Sequence, residues 1–388
     1  MKRAIRSLLG RLKPLAINTA VAGCALGFAL VVAELAVRLV APQQLIQIRP
    51  DLWQPADTVG WLHRPNVRIT INTGEGTVRV FTDADGFRVG ERGRIAGGTK
   101  VLLLGDSFME ALQVEHERST AGLLESMMPE ILDRPVEVHN AAIGGWDPDQ
   151  YLLRARSLLP GNEYELVITA IYLGNDVVSR RREYLPPREP VRRYSFRLPG
   201  SLAGPELADA FLRPLNDLLE VRSHAYLLVK NRLQTVRMRL GLAVLTFPPQ
   251  YLVSEADTER WTVTAELATD IATVASQHGA EALFVLIPAP FQLDSADLKR
   301  YVEGFDIDPS AIDLDQPNRK LGDELAARGL EVRDALPAFR AAYQRGRRLY
   351  GAVDQHFTPD GHELFAELVT GWSSDVLSAA HHLAPEGR

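Results

Sequence analysis

Ser107 stands in the order Gly105-Asp106-Ser107-Phe108, directly after the apolar run Val101-Leu102-Leu103-Leu104. That is the pattern of a hydroxyl set on a tight turn between a strand and a helix. On such a turn the oxygen protrudes, and the following backbone amides and the helix amino end face any anion that forms there. A hydroxyl is a weak nucleophile at neutral pH and needs a base within hydrogen-bond reach. His356 supplies that base. Asp354 stands two residues earlier and is expected on the same side of an extended segment, where its carboxylate would hold the imidazole tautomer and favour the imidazolium. Ser107, His356 and Asp354 together would carry out acyl transfer through a serine ester. The oxyanion of its tetrahedral intermediate would need two or three fixed donors, each worth about 3 kcal/mol in the barrier.

The elements that must position these residues begin after Gly98, where short apolar strands alternate with helical stretches. Strands are expected at Lys100 to Leu104, Val136 to His139, Leu166 to Tyr172, Leu283 to Ile287 and Leu330 to Val332. Helices are expected at about Thr120 to Leu132, Pro148 to Leu159, Asp257 to His278, Pro317 to Arg328 and Pro359 to Leu377. Buried strands separated by helices argue for a parallel sheet covered on both faces. The segment from about 179 to 255 breaks the alternation and reads as an insertion, with a helical stretch near His224 to Leu240. Ahead of the sheet, Val67 to Asn72 and Thr77 to Phe81 flank Gly74-Glu75-Gly76 and read as a hairpin. Residues 42–98 are thus a small β-rich segment.

Three more blocks fall at carboxyl ends of the expected strands or just before the last helix: Asn140-Ala141-Ala142-Ile143-Gly144-Gly145, Leu173-Gly174-Asn175-Asp176, and Asp354-Gln355-His356-Phe357-Thr358-Pro359-Asp360-Gly361-His362. With Gly105-Asp106-Ser107-Phe108 they resemble the SGNH hydrolase superfamily, the GDSL esterases, over residues 99–178 and 256–375. The resemblance implies a three-layer α/β/α sandwich with a parallel, flavodoxin-like sheet. It also implies an oxyanion hole from the backbone amides of Ser107 and Gly145 and the side-chain amide of Asn175. A missing Cβ at Gly145 lets a carbonyl approach the main chain, and Asn175 donates without bringing a charge. No nucleotide or metal cofactor is implied.

Two departures from the family pattern stand out. Many members have a glycine two residues before the asparagine, where this chain has Leu173. Many also separate the aspartate and histidine by two residues, where only Gln355 stands here. The shorter spacing is similar to that of periplasmic polysaccharide O-acetylation proteins. The stretch Thr82-Asp83-Ala84-Asp85-Gly86-Phe87-Arg88 resembles one found ahead of the nucleophile strand in exported bacterial members, and otherwise reads as a turn with two carboxylates.

Lys2, Arg3, Arg6, Arg11 and Lys13 precede an apolar stretch from Leu15 to about Ala33 that continues to Val40. That length spans a bilayer, and the cations predict a cytoplasmic amino end with the remainder outside. Glu34 and Arg38 are four apart and expected to pair. A cleaved signal peptide and a lipoprotein signal at Val21-Ala22-Gly23-Cys24 are the other readings, and both also export the chain. A single cysteine excludes an internal disulfide. The net charge of -6, with no basic run interleaved with aromatics, argues against nucleic acid as a partner.

The expected organisation is a cytoplasmic end and anchor at 1–41, the β-rich segment at 42–98, the hydrolase-like domain at 99–375 and a tail at 376–388. The expected activity is hydrolysis of acyl esters, acetyl by default, in the cell envelope. Transfer of the acyl group to or from an exported polysaccharide needs the same residues. Chain-length-dependent lysophospholipase or thioesterase action and an inactive glycan-binding subunit are the alternatives. Asp106 reads as a structural hydrogen-bonder of the turn, Asp176 as a cap, and His362 as a packing residue. His63, His116, His139, His224 and His278 have no partners at metal-ligand spacing. Arg180-Arg181-Arg182 reads as a solvated face, and Trp146 as a core residue or a sugar-stacking one.

Overall fold

The computed structural model describes the chain apart from residues 1, 44, 46–48, 50, 75, 96, 183–212, 221, 240–246, 257, 306, 353 and 384–388. Much of the expected insertion at 179–255 and the end of the 376–388 tail therefore lie outside the described residues. The chain divides into two compact units, Met1–Leu45 with Arg197–Ala243, and Ile46–Phe196 with Val244–Arg388.

The first unit contains the helix Lys2–Val40. Its part Ile17–Val40 has a mean hydropathy of 2.2 over 24 residues and is long and apolar enough to cross a membrane. Glu34 and Arg38 pair as expected, at 2.7 Å. The same carboxylate also accepts from Ser223 Oγ at 2.7 Å and from the amides of His224 and Ala225 at 2.9 and 3.0 Å. These amides open the helix His224–Arg239, where the first N–H groups lack partners of their own, so Glu34 caps one helix from another.

In the second unit, five parallel strands carry the site: β6 (Thr99–Leu104), β7 (Val136–Asn140), β8 (Tyr164–Tyr172), β9 (Glu281–Ile287) and β10 (Glu331–Asp334), in the order β10-β9-β8-β6-β7. The inner strands β6, β8 and β9 are mostly apolar on both sides because the sheet buries both faces, while the edge strands β7 and β10 carry charged residues as well. Leu102, Leu104, Val167, Ile171, Phe284 and Leu286 enter one core, which includes residues of the helices Pro148–Leu158, Arg260–Gln277 and Gln316–Ala327. Val101, Leu103, Ile168, Val285 and Ile287 enter the other, with residues of Thr120–Leu132, Leu336–Gln344 and Pro359–Leu383. Burying a side chain of this size contributes about 1.5–3 kcal/mol, which explains the unbroken apolar runs. The result is the expected three-layer α/β/α sandwich. The closing helix runs to Leu383, beyond the expected end near Leu377.

Ahead of the large sheet stand two small antiparallel ones. β1 (Trp53–Ala56) pairs with β2 (Gly60–His63), Trp53 opposite His63. β3 (Arg68–Asn72) pairs with β4 (Thr77–Thr82) as the expected hairpin, and β5 (Arg88–Val89) adds to β4. Ile71, Val78 and Val80 turn inward with the period of two that the sequence carries.

Candidate active site

The strand order reverses at β6, because the chain leaves β6 for β7 on one side and then crosses to β8 on the other. Open α/β sheets form their ligand crevice outside the carboxyl ends of the strands at such a point. Ser107 follows β6, the Gly144-Gly145 turn follows β7, and Asn175 follows β8, so one crevice gathers all three.

Ser107 begins the four-residue helix Ser107–Glu110, and Asp106 caps it by accepting from the Phe108 amide at 2.9 Å. This is the structural role expected of Asp106. His356 arrives from the loop before the helix Pro359–Leu383, and its Nε2 lies 2.8 Å from Ser107 Oγ. Its ring packs against Phe108 at 4.9 Å between centroids. Nδ1 lies 3.1 Å from the main-chain oxygen of Asp354. With Nδ1 protonated and donating there, Nε2 is free to accept from the serine hydroxyl.

Asp354 does not reach His356 in the way an extended segment would allow. Gln355 has a φ of 61°, in the left-handed region, so the chain turns between them. The carboxylate accepts from the His356 amide at 3.1 Å and stands 3.8 Å from Nδ1, an ion-pair distance rather than a hydrogen bond. Burial pushes the His356 pKa down, but Asp354 and, less strongly, Asp106 outweigh it and hold the imidazole above its ordinary value. Because the main-chain oxygen holds the tautomer whatever the side chain, Asp354→Asn should reduce kcat by no more than about 100-fold, well below the loss from a carboxylate that alone sets the tautomer. A base with a raised pKa loses activity as pH falls through that pKa. Removing the charge lowers it, so the acid limb of the pH–rate profile should move to lower pH in Asp354→Asn.

The main-chain amides of Ser107 and Gly145 enter no hydrogen bond among the described residues. Gly145 has a φ of 79°, which a side chain would strain. The Leu173 departure is accommodated by burying Leu173 completely. Gly174 packs so tightly on its neighbour that a Cβ would lie 2.4 Å from the Tyr172 ring. Asn175 emerges at the surface beyond it, with its side-chain amide close enough to Asp106 to help lower that carboxyl's pKa. A primary amide offers two N–H groups to an anion.

Beneath the site lie two buried carboxyls. Burial pushes Asp106 up to about 6, against the pull of the Phe108 amide, His356 and Asn175. Asp176 is pushed well above the carboxylate range by burial and by Asp106. Asp176 is not the cap expected of it: its Oδ2 accepts from Tyr151 Oη and the Tyr172 amide, both at 2.8 Å.

The other candidates also find definite places in the structure. Trp146 is 1% exposed and belongs to the core, so it cannot stack on a sugar. Arg181 pairs with Asp270, and Arg182 with Asp147 and Asp149, so only part of the 180–182 run is a free face. His362 packs as expected, with Nδ1 3.0 Å from Thr120 Oγ1, and burial brings its pKa down to about 3. Among the described residues no cluster of three or more histidine, cysteine, aspartate or glutamate side chains could hold a metal.

The sequence reading missed a buried constellation directly behind Ser107. Glu110 is 1% exposed, and its carboxylate accepts from Trp53 Nε1 at 2.8 Å, His63 Nε2 at 2.6 Å and the Gly144 amide at 2.9 Å. Arg88 is fully buried and donates to the carbonyls of Glu110, Ala111 and Val114. The one sequence signal was the Thr82–Arg88 stretch, whose Gly86 carbonyl meets His63 Nδ1 at 3.2 Å. Its carboxylates do form a turn, with Asp83 and Asp85 both paired to Arg94.

No protein-family model matches the chain, and no curated protein matches it. Among solved structures it is similar to an acetylxylan esterase from Geobacillus stearothermophilus, at 11% identity over 72% of this chain and 95% of that one, with a TM-score of 0.37. It is likewise similar to the lipase/acylhydrolase from Enterococcus faecalis, at 14% identity over 71% and 96% of the two chains, with a TM-score of 0.37. A two-domain esterase active on acetylated mannans is similar at 12% identity over 72% of this chain and 50% of that one, with a TM-score of 0.39.

Proposed function

We propose that the chain is a serine esterase of SGNH type that cleaves short acyl esters through an acyl-Ser107 intermediate, held on the outer side of a membrane by its apolar amino-terminal helix. The observation that carries this reading is the 2.8 Å contact between Ser107 Oγ and His356 Nε2 at the crevice where the strand order reverses. In the reaction Oγ attacks the ester carbonyl carbon as its proton passes to Nε2. The carbonyl oxygen becomes an anion, which the amides of Ser107 and Gly145 and the Asn175 side chain stabilise. The intermediate collapses, Nε2 returns the proton to the leaving alcohol, and the acyl group remains on Oγ. Water then gives a proton to Nε2, attacks the acyl carbon and releases the acid, and Oγ regains its proton. A sugar hydroxyl in place of that water would give O-acyl transfer with the same residues. An acylated glycan of the cell envelope is the substrate class this reading favours, supported by the apolar helix and by the single residue between Asp354 and His356.

A charged, membrane-impermeant fluorophosphonate applied to spheroplasts that express the full chain tests both halves. The expected result is one adduct on Ser107, absent in Ser107→Ala and in His356→Ala. Adduct formation only after the membrane is opened would overturn the location. No adduct on folded protein under either condition would overturn the mechanism.

A further inference from the structure

We propose that the β1–β2 hairpin is a positioning element of the oxyanion hole, acting through Trp61 and, by way of Trp53 and His63, through Glu110. This rests on the esterase reading above, in which the Gly145 amide stabilises the anion. Two adjacent glycines are conformationally free and do not by themselves hold an amide in one direction. Here the peptide planes on both sides of Gly144 are pinned from outside.

Trp61 Nε1 donates to the Gly144 carbonyl at 3.2 Å. That carbonyl and the Gly145 N–H belong to one planar trans peptide and point in opposite directions. Fixing the oxygen on Trp61 therefore aims the Gly145 N–H away from the hairpin. The preceding plane is fixed by Glu110 Oε2, which takes the Gly144 amide at 2.9 Å. Gly144 lies against the nucleophile, since a Cβ there would sit 3.5 Å from Ser107 Cβ and 2.7 Å from Glu110 Oε2.

Glu110 is buried and is satisfied entirely by protein groups, so it positions without touching substrate. A carboxylate in the interior is costly unless hydrogen-bonded, and its other oxygen is held by Trp53 and His63. Trp53 and His63 face each other across β1 and β2, with Trp61 two residues before His63. One hairpin thus provides all three anchoring side chains. A donor held this way needs no reorganisation as charge develops, which is the condition for strong oxyanion stabilisation.

The test replaces Trp61 in the full chain, in detergent, with Trp61→Phe and with β-(3-benzothienyl)alanine at position 61, an isostere whose sulfur stands where the indole N–H was. For the isostere, kcat on p-nitrophenyl acetate should fall about 10- to 100-fold, with KM changed less than about twofold and melting unaltered. Fluorophosphonate labelling of Ser107 should slow in parallel. Should Trp61→Phe fail to fold, the isostere alone decides. A folded isostere with kcat within about twofold of the parent overturns the positioning role, as does a fall in kcat that only tracks a lower melting temperature. A parent enzyme that never labels on Ser107 overturns the esterase reading instead.

Discussion

Replacing His356 with alanine lowers kcat on p-nitrophenyl acetate by about 10⁴-fold while the protein stays folded. Nε2 is the group 2.8 Å from Ser107 Oγ, so without it the serine hydroxyl keeps its proton and the leaving alcohol has no donor. Ser107→Ala should cost as much. Because the two side chains act on one proton, the double variant should be no slower than either single one. A folded His356→Ala protein that retains more than about a tenth of the parent kcat would remove the imidazole from the mechanism. In the parent, activity should fall as pH drops through the His356 pKa, which Asp354 holds above its ordinary value, because only the neutral ring can take the proton.

Arg88→Met destabilises the second unit by about 3–5 kcal/mol, read as a fall in melting temperature of about 10 °C. The guanidinium has no exposed surface and satisfies the carbonyls of Glu110, Ala111 and Val114, where the chain leaves the nucleophile helix. Methionine fills much of the same stem volume but leaves those oxygens without a donor. Burial pulls the Arg88 pKa down to about 10, with Glu110, Glu115 and Glu117 opposing, so the group remains a cation at neutral pH. Arg79→Met is the control: Arg79 pairs with Glu91 at 2.8 Å on the surface, where an ion pair contributes little, and melting should not change. A loss for Arg88→Met no larger than for Arg79→Met would show that the buried hydrogen bonds are replaced by water.

The parallel sheet was legible because burial on both faces demands continuous apolar strands, and Val101 to Leu104 and Leu283 to Ile287 have no other stable use. The Thr77–Thr82 hairpin partner was legible from a period of two. Ser107, His356, Gly145 and Asn175 were legible as candidates because each sits in a short block whose chemistry is local to that block. The Glu34–Arg38 pair was legible for the same reason, being one helical turn apart.

What stayed hidden depends on residues far apart in the chain. Glu110 meets Trp53 and His63 across 57 and 47 positions, and Trp61 meets the Gly144 carbonyl across 83. No spacing rule connects residues that only the packing of a small hairpin brings together. The path from Asp354 to His356 was misjudged for a different reason: one left-handed residue, Gln355, turned a supposedly straight segment and left the carboxylate 3.8 Å from Nδ1. By itself the sequence determined which residues are the candidates for the chemistry and which sheet presents them, since side-chain type and hydrophobic period are local properties. Only the tertiary structure decided how the donors are aimed, because direction comes from backbone torsions and from hydrogen bonds between segments that meet after folding.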